Sequence, residues 1–99
     1  MIYIKSELSK ILGKIEELDK SSPLNCDHLY PLIEEAYLLI SDYFEIDQCH
    51  SIIHQLATQM RELKKCNENA EKIPTELNQL LENAKRIAME ELRIFISHL

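Results

Sequence analysis

Ninety-nine residues suffice for one modest core and not for two, so residues 1–99 are expected to form a single domain, and 45% apolar with 28% charged residues is globular composition. One Gly, three Pro and no Trp leave little turn material for an all-β fold, while no apolar run reaches the roughly 18 residues of a membrane span. The opening Met1-Ile2-Tyr3-Ile4-Lys5 is no signal-peptide core, and the net charge of −6 is local: residues 21–60 hold Asp27, Glu34, Glu35, Asp42, Glu45 and Asp47 without a Lys or Arg. These features predict a cytoplasmic chain without a membrane span, and a surface that repels nucleic-acid phosphates and anionic headgroups.

Ile4, Leu8, Ile11, Leu12, Ile15 and Leu18 recur every three or four residues, the spacing of one helix face, and predict a first helix over about residues 3–20. Gly13 lies inside it, as if a neighbouring helix came close there. Ser21-Ser22-Pro23-Leu24-Asn25 breaks the pattern. The second helix carries Leu29, Leu32, Ile33, Ala36, Tyr37, Ile40, Tyr43 and Phe44. Pro31 is tolerated only in a first turn, which makes Asp27 a better cap than Asn25 and predicts a span of about residues 28–45. Tyr37 and Tyr43 read as core, Tyr30 as a candidate contact residue.

Asp47 is the expected cap of a third helix with Ile52, Ile53, Leu56, Ala57, Met60 and Leu63 inward, ending near Lys64-Lys65, where cations suit the negative end of the helix dipole. The short connection before it makes the second and third helices antiparallel. After a polar stretch, Ile73-Pro74-Thr75-Glu76 restarts the helix with proline at the first position. The fourth helix, with Leu77, Leu80, Leu81, Ala84, Ile87, Ala88, Leu92 and Phe95 inward, is about 35 Å long at 1.5 Å per residue. The expected fold is therefore all-α, an antiparallel four-helix bundle with up-down-up-down order.

Chemistry-bearing groups are sparse. His50 and His54 stand four residues apart, a spacing that can share a metal ion, but residue 51 is Ser where the His-Glu-x-x-His motif needs a carboxylate, and no further ligand is in register. Cys26, Cys49 and Cys66 cannot all pair within one chain and are expected as reduced thiols, Cys49 in the core and Cys66 beside Lys65. Glu16-Glu17, Glu34-Glu35 and Glu90-Glu91 read as solvated helix positions, and one glycine makes no phosphate loop. We expect no enzyme, no metal and no cofactor.

The run Ala36-Tyr37-Leu38-Leu39-Ile40, then Ile46-Asp47 before Ile52-Ile53-x-x-Leu56, then Lys72-Ile73-Pro74-Thr75-Glu76-Leu77 and Leu80-Leu81-Glu82-Asn83 give an element order that resembles the class IIa (pediocin-like) bacteriocin immunity proteins from Leu8 to about Met89. The resemblance implies an antiparallel four-helix bundle inside the producer cell that protects it by binding a membrane sugar permease with bound bacteriocin. It also implies recognition by the carboxy-terminal half: Lys65, Asn67, Asn69 and Lys72 around the last connection, and Arg86 and Arg93 on the outer face of the fourth helix. The acidic segment and the short tail after the fourth helix depart from that pattern. The other reading is a small helical adaptor or secretion-type chaperone whose bundle presents an apolar groove to a partner helix. The apolar end of the fourth helix, Phe95, Ile96 and Leu99, either folds back or joins a second copy, so the chain is a monomer or a weak homodimer.

Overall fold

A computed structural model describes residues 2–21, 24–68 and 74–99, with side chains for residues 3–21, 24–65 and 75–99. It contains four helices: α1 (Ile2–Glu17), α2 (Cys26–Tyr43), α3 (Ile46–Glu68) and α4 (Pro74–Ser97). The buried residues of α1 are Ile4, Leu8, Ile11, Ile15 and the following Leu18, and those of α3 are Cys49, Ile52, Leu56, Gln59 and Leu63. Both sets alternate steps of three and four, the seam that lets helices lie nearly parallel with interlocking side chains. Leu29, Ile33, Ala36 and Ile40 of α2 and Leu81, Ala84, Ala88 and Leu92 of α4 complete one continuous core. Gln59 is its one polar member among the described residues.

Each helix packs on the next and α4 returns to α1, while α1 and α3 do not meet among the described residues. Tyr3 at the start of α1 meets Tyr43 at the end of α2, ring centroids 6.4 Å apart. Phe44, just past α2, meets Phe95 near the end of α4 edge to face at 5.0 Å. Cys26 and Tyr30 early in α2 share a cleft with Leu63 and Lys64 late in α3. Four helices packed in this way around one core form a helical bundle. The shortest dimension, 17 Å, is that of two helix layers, given interaxial distances of about 8–10 Å.

The helix ends differ from expectation. Helix α1 stops at Glu17 because Asp19 takes a left-handed conformation, φ 70°, the geometry that closes a helix. Asn25, not Asp27, caps α2: its backbone is extended and its Oδ1 accepts from the His28 N–H at 2.9 Å. Pro31 consequently sits inside the helix rather than in its first turn. The N–H it lacks would have bonded the carbonyl of Asp27, and both residues are exposed, so water replaces the lost donor. Asp47 is not a cap but lies in the first turn of α3. The start is held instead by Gln48, whose N–H bonds the Glu45 carbonyl at 2.9 Å and whose Oε1 accepts from the Glu45 N–H at 3.2 Å, half of a reciprocal capping pair. Cys49 then leaves helical geometry, φ −132° and ψ 16°, and kinks the helix. Among the described residues nothing lies within 4 Å of where a Cβ on Gly13 would stand, so the close helix approach expected there is not seen.

Candidate functional site

The carboxy-terminal residues singled out above separate into distinct settings. Lys65 is exposed late in α3, its ammonium 3.9 Å from Glu62. Asn67 is helical, but its side chain, like the whole of Asn69 and Lys72, lies outside the described residues. Arg86 and Arg93 do come together. They stand two turns apart on α4 and, with Leu24, Met89 and Glu82, line a shallow groove of about 270 Å³ beside the end of α1. Lys65 is not part of that groove.

Both guanidinium groups are oriented by carboxylates. Arg86 Nη1 lies 3.3 Å and 3.5 Å from the two oxygens of Glu90 one turn on. Arg93 is less free than an outer residue should be, because its Nη2 reaches Glu16 of α1 at 3.0 Å and ties the two helices together. Both side chains remain more than half exposed, so either can still present planar donors to a carboxylate or carbonyl brought by a partner. The third cation of the groove, Lys85, points inward: its Nζ donates to the Leu18 carbonyl at 2.6 Å and to that of Glu16 at 3.5 Å. It satisfies carbonyls that the end of α1 leaves without partners. Lys85 borders the buried stripe residue Ala84, and its position beside a helix face was the only trace of this role in the sequence.

The histidine pair is exposed, with rings nearly parallel and centroids 6.4 Å apart. Among the described residues no group of three or more His, Cys, Asp or Glu side chains converges as a metal site would require. Cys49 is buried as expected, its thiol donating to the Glu45 carbonyl at 3.2 Å, and burial raises its pKa above the ordinary value. The Cys66 side chain lies outside the described residues.

The apolar end of α4 belongs to a wider surface. Tyr3, Tyr43, Ile46 and Ile94 are 61%, 54%, 59% and 57% exposed, and all stand at the end of the bundle where α1 and α3 begin and α2 and α4 finish. Tyr43 is thus not core. Phe44, the residue just past α2, packs against the core and on Phe95 instead. Ile94, two residues past the buried Leu92, falls off the stripe, which is the signal periodicity did contain. No helix among the described residues is long and apolar enough to cross a membrane. No family model, curated protein or solved structure matches the chain.

Proposed function

We propose that the protein works by binding another protein, without catalytic chemistry of its own, as a cytoplasmic immunity protein that engages a membrane sugar permease carrying bound bacteriocin. The observation behind the binding half is the groove on α4, where Arg86 and Arg93 stand over Leu24 and Met89 with their guanidinium groups already oriented by Glu90 and Glu16. Donors fixed in advance lose little entropy on binding. The immunity half rests on the order of sequence motifs. Lys65 and the α3–α4 connection complete the recognition surface in this reading.

The test is a pull-down of tagged protein against membranes of a sensitive Gram-positive cell, with and without a pediocin-like peptide. A sugar permease recovered only with the peptide is the expected result, together with resistance when the protein is expressed inside such a cell. Arg86→Glu and Lys65→Glu should weaken both, since exposed charges cost the fold little but orient a partner. Recovery of neither permease nor resistance overturns the immunity reading, and recovery of a secreted client instead favours the adaptor or chaperone.

A further inference from the structure

We propose that the opposite end of the bundle is a second binding surface, built for an amphipathic helix of another protein that carries Lys or Arg beside its apolar face. The start of α3 and the end of α4 enclose an open groove of about 450 Å³. Phe44 and Phe95 meet edge to face within it, and Ile52, Ile94 and Leu99 add aliphatic wall. Ile46, Tyr43 and Tyr3 are further large apolar side chains left exposed at this end of the bundle. Exposed side chains of this size gathered at one end of a small domain are the mark of a contact surface rather than of scatter. A groove between two antiparallel helices accepts a third helix through anchors repeating every three or four residues.

Charge selects the occupant. Glu91 lines the groove, and the exposed Glu45 and Asp47 stand at the start of α3. Among the described residues that line it there is no Lys or Arg, and residues 21–60 contain none. Arg93, next to Ile94, is drawn to the α1 side by Glu16, and Lys5, exposed on α1, is not among the residues that line the groove. A second copy of this chain fits poorly, because a two-fold pairing through this end would gather the carboxylates of Glu45, Asp47 and Glu91 from both copies into one interface. An anionic membrane is disfavoured by the same carboxylates. A helix with an aliphatic or aromatic stripe and flanking cations satisfies both the groove and its rim.

The inference stands apart from the immunity reading and is tested with the purified full chain. Because the protein has no Trp, a single Trp on the apolar face of a synthetic helix reports binding without background. Two peptides with the same apolar face, one flanked by Lys and one by Glu, are titrated by fluorescence. The Lys peptide should bind at least about tenfold more tightly, and the preference should shrink with salt. Ile94→Ala should weaken it about fivefold while the far-ultraviolet circular dichroism and melting temperature stay unchanged. The double variant Glu45→Lys/Glu91→Lys should transfer the preference to the Glu peptide. Equal binding of both peptides, no binding, an unaffected Ile94→Ala variant, or a dimer by light scattering that Ile94→Ala dissolves would each overturn the proposal.

Discussion

Replacing Lys85 by Met keeps the aliphatic stem of the side chain and removes only the ammonium that closes the end of α1. In the folded protein that ammonium donates to the Leu18 carbonyl at 2.6 Å and the Glu16 carbonyl at 3.5 Å, across 67 and 69 residues of chain. A hydrogen bond from a charged donor contributes about 1.5–3 kcal/mol, and a cation at a helix carboxy terminus about 0.3–1 kcal/mol. Against this stand the lost side-chain freedom, up to about 2 kcal/mol, and partial desolvation of a group that water hydrates well. The site is half-buried, so water reaches the orphaned carbonyl in the variant and softens the loss. The net expectation is a destabilisation of about 1–2 kcal/mol, read in urea by circular dichroism as a midpoint lower by about 0.5–1.5 M. Lys10→Met is the control: its ammonium is exposed and among the described residues pairs with Glu7 one turn away, so the change should stay below about 0.5 kcal/mol. An unchanged or raised midpoint for Lys85→Met would refute the assignment of Lys85 as the clamp between α4 and α1.

Leu56→Ala should cost about 2–5 kcal/mol, since the side chain is fully buried, whereas Leu38→Ala, at a residue 51% exposed, should cost under about 0.5 kcal/mol; similar losses at the two would mean the core is misplaced. Gly13→Ala should stabilise by about 0.5–1 kcal/mol, because it relieves the entropy of a helical glycine and meets nothing within 4 Å; a lower urea midpoint would contradict this. A double-mutant cycle on Arg93 and Glu16 should give a coupling of about 0.2–1 kcal/mol that declines with salt, as for a pair with side chains 54% and 36% exposed; zero coupling at low salt would remove the α1–α4 tie. Below pH 9.0, the ordinary value of the Cys49 thiol, folded and unfolded chains both keep its proton; above it the unfolded chain ionises first, because burial raises the folded value. Stability should therefore fall from pH 9.0 until the folded thiol also ionises, and the fall should be smaller in Cys49→Ala.

The helices were legible because burial on one side imposes a spacing that survives in any single segment: Ile4, Leu8, Ile11 and Ile15 announce α1 without reference to the rest of the chain. Helix ends were less so. Asn25 and Asp27 are both good capping residues, and the choice depends on which backbone turns extended, a matter of how the chain arrives from the loop. Pro31 misled because the rule against interior proline assumes a carbonyl that needs its donor, and Asp27 is an exposed residue whose carbonyl is open to solvent. Of the candidate site, Arg86 and Arg93 were found as outer residues of α4, but the Arg93–Glu16 pair joins residues 77 apart, a distance that no local pattern spans. The apolar end was legible in part, through Phe95, Ile96 and Leu99, but the exposure of Tyr43 was not, because which of the adjacent Tyr43 and Phe44 turns inward depends on the contact of Phe44 with Phe95 from another helix.

Gln59 bears on how the bundle finds a single alignment. Along α3 the buried positions Cys49, Ile52, Leu56, Gln59 and Leu63 recur so regularly that sliding the helix by one turn would seat nearly equivalent aliphatic groups in each layer. The amide breaks that degeneracy. A slip would carry it to a layer that Leu56 or Leu63 now fills, whereas in the native alignment Gln59 keeps 8% of its surface exposed and its amide is not sealed away without a partner. Stranding it would cost about 1–3 kcal/mol, a sizeable share of the roughly 5–15 kcal/mol that holds a domain of this size together. One polar residue in an otherwise greasy seam thus acts as an address, telling α3 where to stop against its neighbours.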